Sequence, residues 1–323
     1  MGTGLQHGGF GQGGSIVSTL ASGTEIVCAL GLESRLVGIS HECDFPPSVL
    51  DRPRVTRTII DDSKSSDAID RQVKGAVARG DSLYVVDEDR LASLQPDVII
   101  TQSHCDVCAV SDRDISRVVE RVDVLKCASV VSLDPTSLES VIDDVRRVGR
   151  GVGEESAAGE LVAALASRIR RVRERAGSIA KRERIRVACI EWIEPLMIAA
   201  NWMPELIANC GGACDLTSAG DRSSFTHWDD VRAFDPEVIV VMPCGFPLDR
   251  ALEESRSLRT IDGWSGMTAV REGRVFAVDG NAYFNRSGPR LVDSQEMLAG
   301  IIYPHVFSDF RAAYAKSFCV IQG

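Results

Sequence analysis

One seven-residue pattern occurs twice in the chain and constrains its fold more than any other feature. Leu94-Gln95-Pro96-Asp97-Val98-Ile99-Ile100 is echoed by Phe234-Asp235-Pro236-Glu237-Val238-Ile239-Val240. In each copy a helical segment meets a proline that cannot continue it, an acid follows, and a fully apolar run begins. Runs this short and this rich in Val and Ile suit strands buried on both faces, as in parallel sheets covered by helices. A second pair, Arg35-Leu36-Val37-Gly38-Ile39 and Arg274-Val275-Phe276-Ala277-Val278, follows the same logic. Shared βαβ grammar explains these echoes as well as duplication does.

Read along the chain, strands are expected at 16–20, 36–40, 82–86, 98–100, 129–133 and 185–190. Gly31 stops the helix that follows the first strand, and Ser65-Ser66-Asp67 can cap a helix running to about Arg79. From Pro135 the pattern turns to long helix, with Leu138, Val141, Ile142, Val145 and Val148 at helical spacing. The basic run from Arg168 to Arg184 reads as a solvated helix face. The expectation is an α/β protein of two Rossmann-like lobes with mostly parallel sheets. A lead-in of residues 1–14 reads as disordered, 15–135 as the N-terminal lobe, 136–184 as a helical connector and 185–323 as the C-terminal lobe.

The chain's 323 residues suffice for two cores. Its 36 basic and 46 acidic side chains give a net charge of -10, which excludes the basic stripe of a nucleic-acid binder. No apolar run approaches the roughly 18–20 residues needed to span a bilayer. Residues 1–14 show neither the basic nor the apolar region of a secretory signal, and the ten cysteines read as reduced thiols beside apolar runs. Both points favour a cytoplasmic protein, or a periplasmic one if the true N-terminus differs.

In open α/β sheets ligands bind beyond the carboxyl ends of the strands. The segments at these ends are Ala21-Ser22-Gly23-Thr24, His41-Glu42-Cys43-Asp44 and His104-Cys105-Asp106-Val107-Cys108 in the first lobe. In the second they are Glu191-Trp192-Ile193-Glu194, Pro243-Cys244-Gly245-Phe246 and Asp279 through Arg286. Histidine, cysteine, carboxylate and aromatic residues gather at equivalent ends of both sheets, which implies a ligand cleft between the lobes.

Several of these residues admit more than one reading. His41, Cys43, Cys105 and Cys108 could hold zinc or an Fe–S cluster, and Cys105-x-x-Cys108 could be a redox dithiol. All four could instead be ordinary buried side chains, or His41 could coordinate a metal carried by the ligand. Glu191 and Glu194 could act as acid and base or hold a polar ligand edge. Asn285, Arg286 and Arg290 could bind phosphate or amide groups or cap the last helix.

The order of these motifs resembles the periplasmic substrate-binding proteins that carry cobalamin and iron chelates to ABC importers, and most of all their cobalamin-binding branch. The stretches that match are Ile16 to Ile26, Leu36-Val37-Gly38-Ile39-Ser40 with Asp44-Phe45-Pro46-Pro47, Leu94 to Ile99, Ile207 to Gly212, and Tyr283-Phe284-Asn285-Arg286 to Pro289-Arg290. The resemblance implies two lobes joined by a long helix and no catalysis. It places Ser22 and Thr24 at the cleft floor, with Phe45, Trp192, Trp202, Trp228, Tyr283 and Phe284 as walls for a flat macrocycle; Arg286 is taken as a further ligand-binding residue. It implies cobalamin or another corrinoid as the ligand, and a permease with its ATPase as partners. Asp89 and Asn285 stand near the positions where transport members present a glutamate to the permease. The alternative is a metal- or thiol-dependent enzyme on the same scaffold, centred on His41, Cys43, Cys105 and Cys108. A metal-sensing or storage protein is a third reading.

Overall fold

The computed structural model describes residues 13–103, 110–179 and 183–322. Most of the expected lead-in lies outside these residues, as do His104, Cys105 and Cys108. The chain divides into two compact units, each assembled from three segments.

Unit 1 takes the residues up to Ile59, then Leu83–Asp134 and Asp143–Ala163. Its strands are β1 (Ile16–Ser18), β2 (Leu36–Gly38), β3 (Thr56–Thr58), β4 (Tyr84–Val86), β5 (Val98–Gln102) and β6 (Ser129–Leu133). Four of them form a sheet in the order β2-β1-β5-β6, all parallel, while β3 and β4 pair antiparallel on their own. Val17, Ile99, Leu91, Ile115 and Leu125 are fully buried in its core. The helix Leu138–Val152, whose residues from Asp143 belong to this unit, buries Val145, Val148 and Val152. It is followed by the helix Glu155–Ala176, and Gly153 makes the break between them at a left-handed φ of 77°.

Unit 2 takes Ile60–Ser82, Pro135–Ile142 and Ala164 onward. Its sheet contains β7 (Val187–Trp192), β8 (Met197–Ile198), β9 (Ser224–Phe225), β10 (Val238–Val241), β11 (Val275–Val278) and β12 (Phe318–Val320). The order is β12-β11-β10-β7-β8-β9. The three central strands are parallel and the flanking ones antiparallel. The sequence shows the central strands as apolar runs, whereas β8 and β9, two residues each, are too short to leave a pattern.

The repeated pattern is one turn built twice. Gln95 and Asp235 end their helices at positive φ, 44° and 45°. The acid after each proline then clamps the neighbouring strand. Asp97 accepts from the Ser15 amide at 2.7 Å and Glu237 from the Arg186 amide at 3.0 Å. Each acid's own amide donates back to the same neighbour, so the paired strands β1–β5 and β7–β10 start in register.

The segment 60–82 leaves unit 1 after β3 and returns to it before β4, yet its contacts are those of unit 2. Ile69 on the helix Ser66–Arg79 enters the core of unit 2, and Ile60 and Val73 pack against that core. The cap departs from expectation. Ser65 makes no side-chain capping bond, while the Ser66 amide and hydroxyl both donate to Glu254 at 2.8 and 2.5 Å.

The basic run is less solvated than its composition suggests. Arg168 donates to Glu296 at 3.0 and 2.7 Å, Arg171 to the same carboxylate at 2.9 Å, and Arg175 to Asp309 at 2.7 and 2.9 Å. These pairs tie the helix Glu155–Ala176 to the C-terminal helices Leu291–Ile302 and Ser308–Ala313.

Candidate functional site

In unit 1 the polar residues at the ends of β1 and β2 form one hydrogen-bonded group. The helix Ala21–Ala29 starts immediately beyond β1 and buries Ser22 and Thr24. The Thr24 hydroxyl lies 3.1 Å from the Cys43 thiol, joining two positions that the sequence proposes separately. The Arg54 guanidinium donates to the carbonyls of Ser40, His41 and Cys43 at 2.8, 2.9 and 3.0 Å, and so curls the β2 loop around itself. Thr56 on β3 donates to the Ser40 hydroxyl and accepts from the His41 amide. The Thr56 hydroxyl also lies 2.8 Å from His41 Nδ1, joining the ring to the same group. The His41 ring also leans on Tyr84, with centroids 5.6 Å apart. Phe45 is 41% exposed and presents its ring outward.

In unit 2 the loops after β7, β10 and β11 converge. Trp192 meets Phe246 edge-to-face at 5.4 Å and donates its indole N–H to the Glu194 carbonyl. The Arg250 guanidinium lies 3.6 Å from the Phe246 ring centroid. The Phe246 carbonyl accepts the Asn281 amide, and the Asn281 side chain accepts from buried Arg286 at 2.9 Å. Asp279 caps the turn Gly280–Phe284 through the Ala282 amide at 2.7 Å. Gly280 is required there, because a Cβ would come within 2.4 Å of the Pro243 carbonyl oxygen.

The aromatic positions divide by burial. Phe284 is fully buried, and its carbonyl accepts the indole N–H of buried Trp202 at 2.9 Å. Trp228 packs edge-on against Trp264 and the unit 2 core. Trp192 and Tyr283 are only partly buried. Tyr283 lies edge-on to Tyr314 and 5.6 Å beneath the Arg290 guanidinium. Asn285 donates its side-chain amide to the Met242 carbonyl, while Asp89 is exposed. Sequence reading passed over Arg54, Thr56, Arg250 and Ser223, all of them polar residues outside the strand-end segments.

Among the described residues no group of three or more histidine, cysteine, aspartate or glutamate side chains is arranged to hold a metal ion. Among the other described thiols, Cys189 and Cys210 are buried and Cys28 and Cys214 partly so, whereas Cys127, Cys244 and Cys319 are exposed. Burial pushes the Cys28 thiol up to about 12, and Cys189 and Cys210 are likewise raised by burial. Among the described residues no helix is long and apolar enough to cross a membrane.

Residues 16–282 match the family described as periplasmic binding protein. A curated relative, the uncharacterized ABC transporter substrate-binding lipoprotein YvrC of Bacillus subtilis, is 26% identical over 302 residues, covering 91% of this chain and 81% of its own. Among solved structures the fold is similar to the periplasmic vitamin B12 binding protein BtuF of Vibrio cholerae. That match has a TM-score of 0.65 at 18% identity, over 90% of this chain and 97% of that one. A periplasmic heme binding protein from Pseudomonas aeruginosa gives a TM-score of 0.66 at 18% identity, over 90% and 93%.

These matches overturn the cytoplasmic placement drawn from the sequence. The relative is a lipoprotein, and the family is named for the periplasm. The cysteine argument failed for a physical reason: a thiol buried as a small apolar side chain is stable in any compartment. The enzyme alternative also loses its footing, because relatives and structural neighbours alike are named for binding. The chain belongs to the periplasmic binding protein family.

Proposed function

We propose that the protein binds a corrinoid or a related metal chelate and delivers it to an ABC permease from outside the cytoplasmic membrane. The observation that carries this reading is the partly exposed Trp192 of unit 2, backed edge-on by the buried Phe246 ring that Arg250 covers, on loops tied to Asn281 and Arg286. Flat aromatic faces beside polar donors suit a large planar ligand edged with amides or carboxylates. The B12-binding and heme-binding neighbours of the same fold support the ligand class.

Within this proposal the site residues serve in two ways. Phe45, Trp192 and Tyr283 supply ligand-facing surface. Ser22, Thr24, Trp202, Trp228, Phe284 and Arg286 hold the loops that present it. His41 and Cys43 are ligand contacts of unit 1 in this proposal, and Asp89 is the acidic contact offered to the permease.

Titration of the purified protein with cyanocobalamin, dicyanocobinamide and hemin, followed in the visible spectrum, tests this. Saturable binding of a corrinoid at micromolar concentration is expected. Saturation by hemin alone would reassign the ligand to a porphyrin, and no binding of any probe would overturn the reading.

A further inference from the structure

Glu191 stands at the end of β7, where the pairing with β8 slips. Ile190 pairs with Ile198 and Trp192 with Met197, so Glu191 is the bulged residue between them. A bulge re-aims the side chain it carries, and such features concentrate beside binding sites. The backbone on either side is fixed, since the Glu191 carbonyl accepts the Cys244 amide at 3.1 Å and ties β7 to the loop after β10.

The carboxyl group of Glu191 has a single hydrogen-bond partner among the described residues. The Ser223 hydroxyl donates to Oε2 at 2.6 Å, and Ser223 is itself oriented by the Ala200 amide, which donates to its Oγ at 2.9 Å. Among the described residues no arginine or lysine bridges to the carboxylate. Burial raises its proton affinity and the Ser223 hydroxyl opposes that, with no charged side chain contributing. The titratable neighbour that feels Glu191 is Cys189 on the same strand, a fully buried thiol held protonated. Glu191 is half-buried, and its second oxygen, Oε1, is not shut away from solvent and stays open to a further donor. Glu194, by contrast, is exposed.

We infer that Glu191 is the polar anchor of unit 2, its Oε1 accepting a hydrogen bond from an N–H group on the rim of the bound molecule. This rests on the ligand-binding reading above and deepens it: the ligand carries amide or amine donors at its edge, as the peripheral carboxamides of a corrinoid do and the carboxylates of a heme do not. An acceptor role favours the ionised carboxylate, so binding works against the rise in proton affinity that burial causes.

The test is calorimetric titration with dicyanocobinamide and with cyanocobalamin near pH 6, in two buffers of different ionisation enthalpy. It uses the wild-type protein, Glu191→Gln and Glu191→Ala. The wild type is expected to release protons on binding. Both variants are expected to lose that release and to bind about tenfold or more weakly, the loss of one hydrogen bond to a charged group. Should one variant fail to fold, the affinity of the other still decides the matter. Corrinoid binding at wild-type affinity in both variants, or proton uptake by the wild type, would overturn the assignment while leaving the proposed function intact. Absence of heat from either probe would overturn both together.

Discussion

Asp144 shows how much one side chain can reveal about local environment. It is 1% exposed on the helix Leu138–Val152, and one of its oxygens is buried with no partner. The other accepts from Arg147 at 2.8 Å. Burial dominates and pushes the carboxyl up to about 7, against the pull of Arg147 and the Asp134 amide and with the added push of Asp134 and Asp143. Because the folded state holds this proton more tightly than the unfolded chain, its contribution is fully present in acid. That contribution is lost as pH rises from about 4 through about 7. Asp144→Asn removes the titration while keeping an acceptor for Arg147. Chemical denaturation at pH 4 and pH 8 should show the variant gaining on wild type by about 2–4 kcal/mol across that interval. A constant difference at both pH values would mean that Asp144 is ionised throughout.

Other single positions were only half legible from sequence. Two glutamates flanking a tryptophan announce a polar edge, yet nothing local separates Glu191 from Glu194. The distinction comes from pairing across β8, a strand of two residues. Thr24 and Cys43 are nineteen residues apart, and only the parallel pairing of β1 with β2 brings their loops together.

At the scale of elements, the apolar strands and their prolines were readable because burial on both faces leaves only Val, Ile and Ala. The helix Ser66–Arg79 was readable as a helix, but its docking was not. An apolar stripe of Ile69, Val73 and Ala76 says that a face is covered, not by what. Its partner is the unit 2 core, with Glu254 receiving both polar groups of Ser66 and the Lys74 ammonium lying 5.0 Å from the exposed Phe225 ring. Ile69→Ala should therefore cost about 2–4 kcal/mol if the segment unfolds only with the whole unit. Hydrogen exchange offers the sharper readout. Amides of 66–79 are expected to lose protection in Ile69→Ala and in Glu254→Ala, while those of β1 and β5 keep theirs. Equal loss in both places would mean that the segment does not open by itself.

At the scale of the whole molecule, the resemblance carried by motif order gave the right family, since a fold persists where identity falls below a fifth. Compartment was not encoded in the features used to infer it. The segmentation of the chain was also invisible, because contacts rather than sequence neighbours define the two units. Unit 1 includes Asp143–Ala163, and the segment Ile60–Ser82 belongs to unit 2. A fragment of residues 13–134 therefore contains every strand of unit 1 but lacks Val145, Val148 and Val152, each no more than 2% exposed. It also uncovers Ile69, whose core is missing. Losing three buried valines alone forfeits about 5 kcal/mol or more, comparable to the entire stability of a small domain. Such a fragment should show no cooperative thermal transition by circular dichroism and poor amide dispersion by NMR, whereas the full chain melts cooperatively. A fragment that melts sharply would place the boundary of unit 1 at residue 134 and reduce the helix Leu138–Val152 to a connector.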